Sequence, residues 1–217
     1  FMIDSVLDKL GIVHYLLLTS IMFAIYGLRW KNQTHRFILI ILGVFVINES
    51  VSIISNLYGT TFKTSITITT FIHHSLWLLI LRKAVTFPKV VTGFLIAFIT
   101  FCLCDFFLIE GWLIFNCYSF IVGAFMYLFL FLIESFYQLR KENFPFFFSN
   151  QFILLMAPVL FFIGLTFMFG FKSRAIMTTV FFEKFELYRT IIIVVNVVYY
   201  SLLNIYIYRE KKELYEF

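Results

Sequence analysis

Charged residues are scarce in this chain of 217 residues. Asp, Glu, Lys and Arg together make up 13% of it, whereas 62% of the residues are hydrophobic and 22% are aromatic. A water-soluble domain of this size cannot bury so much apolar surface. The scarcity of charge therefore argues against a soluble enzyme or binding domain, and it predicts a chain whose solvent is lipid.

Motifs that carry chemistry are also missing. The sequence has no phosphate-binding glycine loop, no metalloprotease motif and no paired catalytic carboxylates. Its three cysteines, Cys102, Cys104 and Cys117, lack the spacing of a zinc site and lie in or beside apolar segments, where cysteine packs as a small hydrophobe. We therefore predict no catalytic residue, no metal site and no cofactor, and we expect that the protein is not an enzyme.

Long apolar runs are what the chain has instead. The chain contains seven apolar runs of about 20 residues, the length that crosses roughly 30 Å of hydrocarbon. Few residues remain between these runs. We predict an all-α integral membrane protein, with residues 1–217 forming a single transmembrane domain that is a seven-helix bundle. The predicted spans are 12–28, 37–58, 64–81, 90–108, 113–137, 150–171 and 190–208.

Basic residues fall mainly at one end of the predicted bundle. We interpret them as topology signals rather than as a nucleic-acid site, despite the net charge of +5. The positive-inside rule predicts an N-terminus outside and a C-terminus in the cytoplasm of a multi-pass protein of the cell inner membrane. The predicted cytoplasmic set is Arg29, Lys31, Arg36, Arg82, Lys83, Lys89, Arg140, Lys141, Arg209, Lys211 and Lys212, and the smaller set on the other side is Lys9, Lys63, Lys172, Arg174, Lys184 and Arg189.

Polar side chains lie deep within several predicted spans. Glu49 is the first functional candidate, because a carboxylate at that depth requires protonation, a partner or water. At about 1.5 Å per residue from the predicted span ends, Glu49 lies level with His73 and His74, which favours a Glu49–His74 contact. The two histidines are about 100° apart on their helix, so we do not expect both to face one pocket.

These residues together predict a polar cavity in the outer half of the bundle. Its expected lining is Glu49, His74, Trp77, Asn116 and Asn196. His73, Asn48 and Tyr200 are further candidates for binding a ligand or a proton. The alternative is that the Asn, Ser and Tyr side chains only form hydrogen bonds between helices, each worth about 0.6 kcal/mol or somewhat more. Asp105 and Glu134 lie near predicted span ends, where we favour structural roles.

Three segments of the sequence resemble a known family. They are GLRWKNQTHRFILIILGVFVINES, NCYSFIVGAFMYLFLFLIESFY, and FFFSNQFILLMAPVLFFIG followed by VVNVVYYSLLNIYIYREKKE. On these segments the chain resembles a group of small, uncharacterised seven-helix membrane proteins of Bacteroidota. The resemblance implies a sensory or regulatory membrane component and no established activity. A retinal protein is not expected, because the predicted span 190–208 has no lysine to form a Schiff base.

These observations favour a receptor-like protein that responds to a small ligand, a lipid or a proton. With no soluble output domain among the segments, it would signal through a cytoplasmic or membrane partner, and its other contact is the lipid bilayer; nucleic acid is not an expected partner. The first alternative is a transporter for a small solute or for protons, since a Glu–His pair is a suitable relay. The second alternative is a structural subunit of a larger membrane complex, with His73 or His74 as a haem ligand.

Overall fold

The apolar runs of the sequence form helices. The computed structural model describes residues 11–57, 63–170, 180–181 and 185–215. Besides the π-helical turn Asp105–Ile109, the chain within these ranges forms eight α-helices and one short pair of antiparallel strands. In chain order they are α1 (Ile12–Gly27), α2 (Gln33–Leu57), α3 (Lys63–Ala84), α4 (Pro88–Cys104), α5 (Cys117–Arg140), α6 (Phe144–Phe148), α7 (Asn150–Gly170), β1 (Val180–Phe181), β2 (Phe185–Glu186) and α8 (Leu187–Tyr215).

Six of the described helices are long and apolar enough to cross a membrane, namely α2, α3, α5, α7, α8 and α4 together with the π-helical turn Asp105–Ile109. The chain is therefore an all-α, multi-pass membrane protein. Helix α1 is also apolar, but it has only 16 residues. At 1.5 Å per residue it is about 24 Å long, which is less than the roughly 30 Å of a hydrocarbon core. Where the sequence predicts seven spans, the described residues thus contain six helices of spanning length.

Several helix ends differ from the predicted spans; for example, α2 begins at Gln33 instead of residue 37, and α3 ends at Ala84 instead of residue 81. Helix α5 begins at Cys117 instead of residue 113, because the segment before it forms a loop in which Gly111 has a φ of +84°. Helix α8 begins before and ends after the predicted span 190–208. The predicted span ends at residues 58 and 171 lie outside the described residues.

Helix α3 is the most buried helix of spanning length. In its most apolar window 56% of the residues are buried, compared with 22–44% in the other helices of spanning length. It packs against α2, α4, α5 and α7, whereas α8 packs against α7 and α1, and α1 packs against α2. The helices therefore form a closed ring in the order α1, α2, α3, α4, α5, α7 and α8, and α3 is its most buried member.

Large apolar side chains cover the outside of the bundle. In water such a surface would be unfavourable, but it matches the hydrocarbon of a bilayer. The peripheral helices α4 and α5 illustrate this, with exposed Ile96, Leu103, Phe107, Phe125, Phe129 and Phe136.

The two ends of the bundle differ in charge. The end that contains residues 28–32, 85–87, 141–143 and the C-terminal part of α8 carries the larger set of basic residues, and we call it the basic end. The end that contains the start of α1 and residues 110–116 is called the opposite end.

Candidate functional site

Three hydrogen-bonded side chains occupy the centre of the bundle. The Trp77 indole N–H donates to His73 Nε2 at 2.9 Å, and the Tyr199 hydroxyl on α8 lies 3.2 Å from the same nitrogen. All three side chains are buried. Because His73 Nε2 accepts the indole N–H, the proton of the ring is on Nδ1 and the ring is neutral. This group joins α3 to α8 without a charge in the membrane.

His74 faces a different side of α3. Its Nδ1 donates to Thr70 O at 2.9 Å, and its ring stacks on Phe162 with 4.5 Å between centroids. Phe120 packs edge-on against the same ring. Gly123 on α5 provides the space for the ring, since a Cβ at that position would lie 2.6 Å from His74 Cδ2. The two histidines therefore have different hydrogen-bond partners, although both rings contact Phe162.

Glu49 pairs with a histidine that the sequence analysis missed. Glu49 Oε2 lies 3.0 Å from His14 Nε2 on α1, and the two side chains are 33% and 21% exposed. The Gly11 backbone N–H donates to His14 Nδ1 at 3.1 Å. Nδ1 is therefore unprotonated, and Nε2–H donates to the carboxylate. The expected Glu49–His74 contact is wrong: among the described side chains, the ionic partner of Glu49 is His14.

The length of α1 explains this error. The predicted spans place His14 two residues from an outer span end and Glu49 nine residues from one, which separates them by about 10 Å if the helix ends are level. The structure has a 16-residue α1 beside a 25-residue α2. The ends are not level, and the start of α1 lies beside the interior of α2. The sequence did contain a signal for this pairing, because His14 is a polar residue in an otherwise apolar run.

The charge of Glu49 also acts on Tyr200 of α8. The Tyr200 side chain is buried. Helices α1, α2 and α8 thus each contribute one side chain to what we call the His14–Glu49 cluster, which consists of His14, Glu49 and Tyr200. An added proton either neutralises Glu49 or binds His14 Nδ1, and in the second case it displaces the Gly11 N–H. The cluster can therefore couple a proton to the start of α1.

The remaining candidates have separate partners. Asn48 Oδ1 accepts a hydrogen bond from Ser65 Oγ at 2.9 Å, which joins α2 to α3. Asn196 donates to a carbonyl of its own helix at 2.8 Å. The Asn116 backbone N–H donates to Thr67 Oγ1 at 3.2 Å and so fixes the loop before α5. These contacts distribute the candidate residues over the bundle rather than gathering them around one cavity.

Two buried carboxylates, Asp105 and Glu134, accept hydrogen bonds from backbone N–H groups. Asp105 accepts a hydrogen bond from the Ser119 backbone N–H at 3.0 Å, in the first turn of α5. Glu134 accepts one from the Thr86 backbone N–H at 2.9 Å, in the connection between α3 and α4. Each carboxylate therefore satisfies a backbone donor at a helix terminus or connection.

A second His–Glu pair lies at the basic end. His35 Nε2 is 3.2 Å from Glu210 Oε2, and the Arg29 backbone N–H donates to His35 Nδ1 at 3.0 Å. Glu210 also accepts a hydrogen bond from Asn150 on α7 at 2.9 Å. The sequence analysis named neither His35 nor Glu210 as a candidate. The signal was weak because both lie at predicted span ends, where polar side chains usually reach water.

Comparisons with known proteins add nothing to the structural observations. Comparison of the chain with protein-family models, with curated proteins and with solved structures finds no match. The resemblance to the Bacteroidota group therefore stays a prediction, and the functional argument depends on the two His–Glu pairs and on the helices that hold them.

Proposed function

We propose that this protein is a receptor-like, sensory protein of a bacterial inner membrane. In this proposal α1 is the seventh span, the N-terminus is outside and the C-terminus is in the cytoplasm. The His14–Glu49 cluster takes up a proton, and a cytoplasmic partner reads the response at the basic end. The observation that carries the proposal is that α8 takes part at both His–Glu pairs, since Tyr200 lies within electrostatic range of Glu49 and Glu210 is the carboxylate of the second pair.

A proton is the stimulus that the cluster fits best. Histidine is the side chain whose charge most often changes near neutral pH. At His14 one ring nitrogen accepts a backbone amide and the other donates to Glu49. The pair cannot gain a proton without losing one of these contacts or the charge of the carboxylate. Proton uptake therefore changes how α1 is held against α2.

Helix α8 offers the connection between the two ends. Glu210 lies ten residues beyond Tyr200 in the same helix, which is about 15 Å along its axis. At the basic end Glu210 bonds to His35, and His35 accepts the Arg29 backbone N–H from the α1–α2 loop. A helix that moves as a unit can couple two distant sites if both sites bias its position. A shift of α8 would then change the conformation of the α1–α2 loop, which a cytoplasmic partner could bind.

A carrier for protons or small solutes is the second candidate, and the packing of the bundle centre argues against it. A carrier needs a binding site near mid-membrane that opens to each side in turn. Phe45, Phe161 and Phe162 pack around His73 at that depth. A structural subunit of a larger complex is the third candidate, and it predicts no response to pH.

A fluorescent label at the basic end tests the proposal. The Lys31→Cys variant, with Cys102, Cys104 and Cys117 replaced by alanine, accepts the label on the exposed α1–α2 loop. For the full chain in lipid nanodiscs, we expect the emission to change when the pH is lowered from neutral to acid, because proton uptake changes how α1 is held against α2. The double variant His14→Gln/Glu49→Gln removes both ionisable groups of the pair, so it should abolish this pH response.

The matched control is Glu110→Gln, which removes a carboxylate at the opposite end but outside the His14–Glu49 cluster. The control should leave the titration unchanged. A pH response that persists in the double variant would assign the response to another group, such as His35, and would reject the proposal. Measuring the flux of protons across the membrane of proteoliposomes separates the receptor from the carrier. A carrier should move protons into the vesicles, whereas a receptor should show no flux.

A further inference from the structure

A groove runs between α1 and α8 on the outside of the bundle at the basic end. Its volume is about 590 Å³, and its lining is almost entirely apolar. Gly27 and Ile207 form its floor, where the helices approach so closely that a Cβ on Gly27 would lie 2.6 Å from Ile207 Cγ2. The walls and the end of the groove are formed by Met22, Phe23, Tyr26, Tyr208, Lys211 and Lys212.

The lining changes from apolar to cationic within one helical turn. Met22 and Phe23 are exposed on α1, whereas Lys211 and Lys212 follow the floor residue Ile207 by four and five residues on α8. That distance is about 6 to 8 Å along the helix. Tyr26 and Tyr208 are exposed between these two parts, and tyrosine is enriched at the level of lipid headgroups. The groove therefore has an apolar part, an interfacial part and a cationic part in the order of a phospholipid.

We propose that this groove is a binding site for one anionic phospholipid. An acyl chain lies along Met22 and Phe23, and the phosphate of the headgroup lies at Lys211 and Lys212. Basic recesses between membrane helices on the cytoplasmic side are suited to anionic headgroups. The site is separate from the His14–Glu49 cluster, and it does not depend on the proposed sensory function.

The composition of the walls favours a lipid over another membrane helix. Contacts between membrane helices are enriched in small residues, which allow two backbones to approach. The small residue in this groove, Gly27, is already covered by Ile207. The walls are instead large and exposed, as in Phe23 and Tyr26. A parallel second copy would also bring two basic ends together, and the like charges would repel.

Competition between lipids tests this proposal. The purified full chain in detergent is mixed with equal amounts of phosphatidylglycerol and phosphatidylcholine, and native mass spectrometry measures the lipid that remains bound. The double variant Lys211→Gln/Lys212→Gln should lower the preference for phosphatidylglycerol about tenfold. Met22→Trp narrows the groove at an exposed position without changing charge, and it should lower the binding of phosphatidylglycerol as well.

The matched control is Lys89→Gln/Lys141→Gln, which removes the same charge from α4 and from the end of α5, away from the groove. It should keep the preference. An equal loss in both double variants would assign the effect to general surface charge and overturn the proposal. Thermal stabilisation by inorganic phosphate that matches the lipid effect and is insensitive to Met22→Trp would identify a soluble anion as the ligand, which also overturns it.

Discussion

The two His–Glu pairs share one hydrogen-bond pattern at opposite ends of the bundle. In each pair Nδ1 of the histidine accepts a backbone N–H, from Gly11 at the opposite end and from Arg29 at the basic end. In each pair Nε2 then faces a carboxylate, at 3.0 Å and 3.2 Å respectively. The backbone contact thus fixes the tautomer and aims the remaining ring proton at the acid.

The surroundings of the two pairs differ. His14 and Glu49 are 21% and 33% exposed, whereas His35 and Glu210 are 3% and 23% exposed. Glu210 also accepts hydrogen bonds from Asn150 and from Tyr206, while His14 is the described hydrogen-bond partner of Glu49. The basic-end pair is therefore held by more of the protein.

This difference indicates a division of roles. A carboxylate with several donors has most of its acceptor positions satisfied, and losing one partner leaves a buried group without compensation. A carboxylate with one donor and more exposure can gain or lose a proton at a smaller cost to the fold. We infer that the basic-end pair mainly holds α2, α7 and α8 together and that the His14–Glu49 cluster is the one that responds.

The largest expected effect is the loss of stability in His35→Ala. This change removes the donor to Glu210 and the acceptor of the Arg29 N–H, and it leaves a cavity. We expect the free energy of unfolding to fall by about 2 to 3 kcal/mol. Denaturant titration of the full chain in detergent micelles, followed by circular dichroism, measures this value.

The matched variant at the other pair is His14→Ala. Because His14 and Glu49 are more exposed, we expect a loss of about 1 kcal/mol or less. Equal losses for the two variants would contradict the division of roles that their surroundings suggest.

A smaller effect is expected from Asn150→Ala, which removes one of the additional donors to Glu210. Asn150 also donates to the Tyr206 carbonyl at 3.2 Å. The free energy of unfolding should therefore fall by about 1 to 2 kcal/mol, since one hydrogen bond is usually worth about 1 kcal/mol. Denaturant titration in the same micelles measures it. Asn143→Ala is the control, since Asn143 is exposed at the same end and donates to Gln138 instead. A loss of stability no larger than that of the control would mean that Asn150 does not hold Glu210.

The sequence was sufficient to predict which segments form helices. It was not sufficient to predict how far neighbouring helices are shifted along the bundle axis relative to one another. Apolar runs predict where a helix crosses lipid, and six of the seven runs correspond to helices of spanning length. Hydropathy does not locate a helix end precisely enough to align two neighbours. The start of α5 shows this, because Leu113, Ile114 and Phe115 are apolar and yet lie in a loop. Helix α8 shows the reverse, since its charged C-terminal residues are good helix formers and continue the helix.

Errors in the predicted positions of the helices along the bundle axis explain why the partner of Glu49 was predicted wrongly. Glu49 was identified correctly as a side chain that needs a partner, since a carboxylate at its depth is costly. Its predicted partner was wrong because the predicted span ends placed Glu49 level with His74 and placed His14 farther along the bundle axis. The pairing of Glu210 with His35 joins residues that are 175 positions apart. Such a contact depends on how the helix ring closes, and no local pattern in the sequence contains that information.

The smallest expected effect is that of Tyr200→Phe, and it tests whether α8 senses the His14–Glu49 cluster. The change removes one hydroxyl and keeps the ring, so the free energy of unfolding should change by about 1 kcal/mol or less. If the response passes through α8, the amplitude of the pH response at labelled Lys31→Cys should nevertheless decrease, because Tyr200 is an α8 side chain within electrostatic range of Glu49. Tyr15→Phe removes an exposed hydroxyl from α1 and should leave the amplitude unchanged. An undiminished amplitude in Tyr200→Phe would mean that the two ends communicate through the α1–α2 contact, and the two pairs would then be linked without α8.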